Sequence, residues 1–379
     1  MALGLAPALL TPEIDGAVLL VGSFVLLLAG AEVFTNGVEW LGHRLGVSES
    51  ATGSILAAVG TALPETLIPV IAIVRGGADS AHVGVGAILG APFMLATIAM
   101  FLVGASVYFF RERRTFGAEM HFNEAATRRD LSFFLAGYAV AFAAAFVESR
   151  LVQYAMAGLL VLLYVVYLYR SLRSGELAEA ADIDALHLGL LVERVAARFG
   201  YDPRSHGENP TLFFVALQTA FALALIVGGA HLFVDEVQWL ATDVLDVPIA
   251  VVALLIAPLA TELPEKFNSV LWISRDKDTL ALGNITGAMA FQGTLPVTLG
   301  IVFTDWDLSL AWGTTGFLNA FSVALALVSG AVLYLRARSA HEDPMDPKPF
   351  LIGGLFYAAF IVVLVYFVVV LGVTASGGH

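Results

Sequence analysis

Two Leu-Pro-Glu triplets lie inside long apolar segments of the chain and carry its most distinctive chemistry. They place Glu65 and Glu265 where charged side chains are rare. A charged group at the centre of a membrane helix costs at least about 2.5 kcal/mol, so such a carboxylate normally faces a cavity or a partner. For either glutamate alone, a buried hydrogen bond that fixes helix packing is the competing interpretation.

The residues around each glutamate could complete a cation site. Pro64 and Pro264 lack a backbone N–H and clash with the carbonyl four residues earlier, so each is expected to open its helix and free carbonyl oxygens. Thr61 and Thr261 precede the glutamates by four residues, which is one turn along the same helix face. Carboxylate, hydroxyl and carbonyl oxygens suit hard cations such as Na⁺ and Ca²⁺.

The composition indicates that these residues belong to a membrane protein. Of the 379 residues, 59% are hydrophobic and 13% are charged, whereas soluble domains have about 45–50% and 25%. The chain has no Cys, which excludes a disulfide framework and a thiolate metal site. The formal net charge of −13 argues against a nucleic-acid partner. The first dozen residues carry no basic segment, so we expect no cleavable signal peptide.

Ten apolar segments are long enough to be transmembrane helices, since a helix needs about 20 residues to cross the hydrocarbon core. Strands of a membrane barrel are only about ten residues long, so a barrel is not expected. The second and seventh segments contain the Leu-Pro-Glu triplets and should be interrupted. The ten segments are 15–38, 51–75, 80–109, 131–148, 151–171, 210–234, 247–274, 279–303, 309–336 and 348–373.

The basic residues give this arrangement an orientation. Sixteen of the 19 Lys and Arg lie in loops on one side, Arg75 and Arg150 lie on the other, and Lys266 lies within a span. Since basic loops stay in the cytoplasm, we predict a multi-pass protein of the cell membrane with both termini outside the cytoplasm. The stretch 183–199 has helical apolar spacing. It either lies on the membrane surface or packs on the other loops.

The two halves of the chain share a sequence pattern. Three motifs recur in the same order at offsets of 197 to 200 residues, which favours a functional role for both glutamates. The small-xxx-small spacing of the third motif is typical of close helix packing. The matched segments are GAEVFTNGVEWL (30–41) with GAHLFVDEVQWL (229–240), GTALPE (60–65) with ATELPE (260–265), and GAILGA (86–91) with GNITGA (283–288).

The repeats predict an all-α integral membrane fold with ten transmembrane helices. Residues 1–171 form the first five-helix repeat, 172–209 a cytoplasmic linker and 210–379 the second repeat. Five spans per half force the second half to enter the membrane upside down. Inverted repeats with interrupted helices, and a site near the midplane where they meet, are the plan of many secondary transporters.

At these motifs the chain resembles the calcium/cation antiporter superfamily, the sodium/calcium exchangers and their prokaryotic relatives. That family carries two inverted repeats, each with a G-[TS]-[SA]-x-P-E segment and a later G-N-x-x-G-S-N-x-x-[ND] segment. The resemblance covers about 30–110 and 229–303. It implies that Glu65 and Glu265 are the central ligands of a transported metal ion. The hydroxyl groups of the two threonines named above would lie beside them.

The second motif departs from the family. Ala91 and Leu95 stand at the Ser and Asn positions of the first repeat, and Ala288 and Gln292 stand at the Ser and Asp positions of the second. Of these four side chains, only that of Gln292 offers an oxygen atom to a cation. The transported ion and the stoichiometry therefore do not carry over from the family.

Glu262 and Lys266 flank the second triplet and admit two interpretations. Glu262 stands where the family has a small residue, and Lys266 directly follows Glu265. Glu262 could replace the lost acidity while Lys266 supplies a fixed positive charge in place of one bound ion. Alternatively, the two side chains pair at (i, i+4) spacing, which we favour slightly.

We therefore expect a secondary active cation antiporter, of the sodium/calcium exchanger type, with alternating access about the two glutamates. The alternative is an exchanger coupled to protons or to another cation. The chain has no HExxH or GxSxG motif, so an intramembrane enzyme is not expected, and no filter sequence indicates a channel. The expected partners are the lipid bilayer and inorganic cations (Ca²⁺, and Na⁺ or H⁺), with no other cofactor and no required protein partner.

Overall fold

The computed structural model describes residues 12–44, 63–173, 184–199, 209–306, 308–339 and 345–373. These residues are helical throughout, apart from short turns and one isolated antiparallel bridge between Met120 and Met345. The helices are α1 (Pro12–Arg44), α2 (Leu63–Arg75), α3 (Ala78–Phe110), α4 (Glu124–Ala144), α5 (Arg150–Arg173), α6 (His187–Arg198), α7 (Leu212–Leu245), α8 (Ile249–Thr261), α9 (Leu263–Ile273), α10 (Asp278–Gln292), α11 (Leu295–Phe303), α12 (Thr315–Ser339) and α13 (Lys348–Val369).

Seven membrane-length segments are present in the described part of the chain. Six are α1, α3, α5, α7, α12 and α13, and the seventh is the consecutive pair α10 and α11. The other three predicted spans coincide with α4, with α2 and with the consecutive pair α8 and α9. Of the predicted span 51–75, residues 51–62 lie outside the described residues. The all-helical membrane fold is confirmed, while the count of ten spans stays a prediction.

The start of α4 differs from its predicted boundary because a cap sets it. The side chain of Asn123 accepts a 3.0 Å hydrogen bond from the N–H of Ala126, which satisfies one of the free donors of the first turn. The helix therefore begins before the apolar run that predicted it at 131.

The long helix α3 forms the centre of the fold. Leu89, Phe93, Met94 and Leu95 are fully buried in it, and Phe93 packs against Phe360 of α13 with ring centroids 4.8 Å apart. A π-helical turn, Leu95–Ala99, interrupts α3; such turns are frequent at functional sites. The outward faces of α1, α5 and α13 expose apolar side chains such as Val21, Leu162 and Val362, as expected where lipid replaces water.

The helices α1 and α7 pack against each other along their lengths. A Cβ built at Gly16 would lie 2.6 Å from Trp239, and one built at Gly37 would lie 2.6 Å from Thr219. Between them, a Cβ at Gly30 would lie 2.7 Å from Ile226. The partner's number falls as the number in α1 rises, so the two helices run antiparallel.

The helices α3 and α8 also approach closely. A Cβ at Gly86 would lie 2.8 Å from the Cβ of Ala253, and one at Gly90 would collide with the carbonyl of Leu254. Close packing at the first small-xxx-small motif is therefore confirmed. The second motif differs, because no described atom lies within 4 Å of a Cβ built at Gly283.

Candidate ion-binding site

The second Leu-Pro-Glu triplet interrupts its span as the sequence predicts. Helix α8 ends at Thr261, Glu262 adopts φ −89° and ψ 9°, and α9 begins at Leu263 with Pro264 in its first turn. Proline is well tolerated there, since the first N–H groups of a helix have no partner within it. The break places Glu265 in the first turn of α9.

The first triplet stands at the first described residues of its helix. Helix α2 starts at Leu63, and Glu65 lies in its first turn. The preceding part of the span lies outside the described residues, so the interruption at Pro64 stays a prediction. Glu265, in the first turn of α9, lies at the positive end of a helix dipole, which typically favours a nearby negative charge by about 0.3–1 kcal/mol.

The two glutamates are buried and interact with each other. Glu65 is 6% exposed and Glu265 is 9% exposed. The charge of Glu65 interacts electrostatically with those of Glu265, Glu262 and Lys266, so residues from both halves of the chain meet in one region. The structure thus brings together the two carboxylates that the sequence singles out.

Several carboxylate oxygens of this region lack hydrogen-bond partners. Both oxygens of Glu65, Oε2 of Glu265 and Oε1 of Glu262 are buried and have no hydrogen-bond partner of ordinary geometry among the described residues. A buried polar atom without a partner costs about 1–3 kcal/mol, and more when it is charged. Such atoms are suited to bind a water, a cation or a proton.

Lys266 pairs with Glu262, as the (i, i+4) interpretation predicts. Its Nζ donates to Oε2 of Glu262 at 3.0 Å and to the carbonyl oxygen of Pro258 at 3.1 Å, and it lies 3.8 Å from the sulfur of Met94. Both charged side chains are buried. The sequence did not single out Pro258 or Met94, because a carbonyl and a thioether leave no signal in residue type.

Two of the remaining candidate ligands, Thr261 and Gln292, lie within the described residues. Thr261 is buried, and its hydroxyl donates to the carbonyl of Ala257 at 3.1 Å, which leaves its oxygen lone pairs for another donor or a cation. Gln292 is buried as the last residue of α10. Thr61 lies outside the described residues.

Asn284 of the second GNITGA motif supports the backbone of α9. Its Nδ2 donates to the carbonyl oxygen of Glu265 at 3.0 Å and to Oγ of Ser269 at 3.1 Å. Its amide fixes the first turn of α9 against α10.

The arrangement is an open one. No group of three or more His, Cys, Asp or Glu side chains within the described ranges converges tightly enough to hold a metal ion. The carboxylates therefore do not form a closed cage by themselves. Chemically, they offer negative charge and unpaired oxygens in a buried region, which is what a hard cation or a proton requires.

The family model described as "Sodium/calcium exchanger protein" matches residues 16–173 and 214–372. A comparison with curated proteins found no match.

Two kinds of solved structure share this fold. A structure entitled "Crystal Structure of H+/Ca2+ Exchanger CAX" has a TM-score of 0.57 and 18% identity, over 93% of this chain and 88% of that one. A structure of "the sodium-calcium exchanger NCX_Mj", soaked with Na⁺ and Ca²⁺, has a TM-score of 0.54 and 19% identity. It covers 92% of this chain and 98% of that one.

Proposed function

Because the chain belongs to the sodium/calcium exchanger protein family, within the calcium/cation antiporter superfamily, we propose that it exchanges cations across the cell membrane at Glu65 and Glu265. In this proposal a cation binds between the two carboxylates, and access alternates between the two sides. The observation that carries it is the pair of buried, mutually interacting glutamates with unpaired oxygens. Such carboxylates inside a membrane are expensive and usually functional.

The ligand set we propose combines these carboxylates with neighbouring oxygens. Thr261 contributes its hydroxyl, Gln292 its amide oxygen and Glu262 its unpaired Oε1, while Thr61 takes the place equivalent to Thr261 in the first half. The set thus adds a third carboxylate and neutral hydroxyl and amide oxygens to the two central glutamates, and Ca²⁺ and Na⁺ accept both kinds of oxygen.

The proposed architecture is ten spans in two inverted repeats, 1–171 and 210–379, with both termini outside the cytoplasm. The antiparallel packing of α1 and α7 supports it, because these are the first spans of the two halves. The contacts are reciprocal: Gly30 packs on Ile226, three residues before Gly229, and Gly229 packs on Leu27, three residues before Gly30. A two-fold axis between inverted halves produces such a pattern.

Sodium-for-calcium exchange is the first candidate, and exchange coupled to protons or another cation is the second. The second is favoured by the loss of polar ligands on α3, where Ala91 and Leu95 are buried apolar residues. The same fold serves exchangers of both types, as the two structural neighbours show for themselves. Fewer oxygen ligands suit fewer bound metal ions and leave protons as competitors.

Reconstitution into liposomes tests the proposal. The purified protein is given outward gradients of Na⁺, H⁺ or K⁺ in turn, and uptake of ⁴⁵Ca²⁺ and other divalent ions is measured. Uptake driven by Na⁺ selects the first candidate, and uptake driven only by a pH gradient selects the second. No counter-ion-dependent flux of any cation would refute antiport.

A further inference from the structure

The ammonium group of Lys266 lies in surroundings that suit a bound metal cation. A carboxylate oxygen of Glu262 and the carbonyl oxygen of Pro258 approach it at 3.0 and 3.1 Å. The carbonyl belongs to the last turn of α8, and the end of a helix carries partial negative charge that favours a cation. We call Glu262 and the Pro258 carbonyl the lysine cradle.

The lysine cradle is continuous with the proposed ion site. Lys266 interacts electrostatically with Glu65 and Glu265 as well as with Glu262. With all groups ionised, three carboxylates and one ammonium leave a formal charge of −2. That charge matches one divalent cation, two monovalent cations or two protons.

The charge balance matters energetically because Glu262 and Lys266 are both buried. Glu262 is 1% exposed and Lys266 is 8% exposed. Breaking a buried ion pair by removing one partner is strongly destabilising, because the other charge is left uncompensated. Without the ammonium, Glu262 therefore needs another cation or a proton in its place.

We infer that Lys266 is a tethered cation that permanently fills one position of the intramembrane site. The site then takes one divalent cation or two monovalent cations in each half-cycle, and exchange moves no net charge. The inference rests on the proposed function and deepens it, because it assigns the stoichiometry to one residue. The competing role for Lys266 is a helix tether that does not influence ion binding.

A thermal-unfolding experiment in detergent tests the lysine cradle without any transport. The background protein carries Glu65→Gln and Glu265→Gln, so that only the cradle keeps its charges. Lys266→Ala is then added, and the unfolding temperature is followed against NaCl and KCl, with choline chloride holding the ionic strength constant. We expect a rise of several degrees, because a small cation takes the place of the ammonium.

Two controls make that result specific. The background with Lys266 intact should show no such rise, and adding Glu262→Gln to the Lys266→Ala protein should remove it. A Lys266→Ala protein that shows no gain, or the same gain with Glu262→Gln, overturns the inference. So does a Lys266→Ala protein that fails to fold in Na⁺ and K⁺ while its Glu262→Gln derivative folds.

A measurement of charge movement in liposomes tests the inference in protein that keeps Glu65 and Glu265. It also gives the answer if the variants used in detergent do not fold. Wild-type exchange should be unaffected by a membrane potential set with K⁺ and valinomycin, and Lys266→Ala should move one additional charge per divalent ion. A wild-type current, or potential-independent exchange by Lys266→Ala, overturns the tethered cation and leaves antiport standing. Absence of any exchange by the wild type refutes the proposed function instead.

Discussion

Glu65 and Glu265 each occupy the third position of a helix that begins Leu-Pro-Glu, and their buried carboxylates interact with each other although 200 residues separate them. A break at Glu262 places Glu265 at a helix N-terminus, and the sequence predicts the same interruption before Glu65. Because the two glutamates occupy equivalent positions, the substitution of either one alone tests the proposed site.

Glu65→Gln and Glu265→Gln should each reduce cation flux in liposomes by at least about 100-fold. Glutamine keeps the shape of the side chain but removes the charge that binds the cation, and a ligand-binding difference of about 2.7 kcal/mol suffices for that factor. Glu112→Gln, at an exposed position of the loop after α3, is the matched control and should transport normally. Full flux in both buried variants, with normal gel-filtration profiles, would remove the site from the mechanism.

The sequence predicted the helices and an interruption of the seventh span at its Leu-Pro-Glu triplet, because lipid imposes simple rules. Each span must satisfy its own backbone hydrogen bonds, and Pro264 cannot donate one. The pairing of Glu262 with Lys266 followed from (i, i+4) spacing, and the structure contains it.

Other features were beyond sequence reasoning because they depend on contacts between distant segments. The buried ion pair of Arg114 with Asp278 links residues 164 positions apart, and neither residue type distinguishes it from a surface pair. The Pro258 carbonyl that receives Lys266 belongs to the backbone and has no signature in the sequence. The residue types of the π-helical turn Leu95–Ala99 do not mark it either.

Gly90→Ala should destabilise the protein and slow transport, because an added Cβ collides with the Leu254 carbonyl of α8. Forcing an additional methyl group into a packed interface typically costs about 1–3 kcal/mol. Gly158→Ala is the control, since no described atom lies within 4 Å of a Cβ built there in α5. Thermal unfolding in detergent compares the two, and equal unfolding temperatures would show that α3 and α8 are not held at this contact.

Arg114→Gln should destabilise the protein by about 3–5 kcal/mol, since it leaves the Asp278 carboxylate buried without its counter-charge. The guanidinium of Arg114 bonds both oxygens of Asp278 at 2.8 Å and the carbonyl of Ile273 at 2.6 Å, so it ties the loop after α3 to α9 and α10. Arg111→Gln, at an exposed position of the same loop, should change the unfolding temperature little. Two similar unfolding temperatures would contradict a structural role for the pair.

The amphipathic helix α6 should loosen when its N-terminal anchor is removed. Gln218 of α7 accepts a 2.7 Å hydrogen bond from the N–H of Leu188 and donates to Oδ1 of Asn36, which in turn accepts from the N–H of His187. Side chains of α7 and α1 thus satisfy donors at the start of α6 that have no partner within the helix.

Gln218→Leu leaves the N–H of Leu188 without its acceptor and removes the bond that holds the Asn36 amide in place, at a cost of about 1–3 kcal/mol. Amide hydrogen exchange across His187–Arg198 should therefore accelerate roughly five- to a hundred-fold, because local opening becomes easier by that amount. Gln238→Leu makes the same substitution at the other end of α7, where the side chain donates to Ser80, and it should leave exchange in α6 unchanged. Equal exchange rates in α6 for both variants would show that the anchor does not hold the helix.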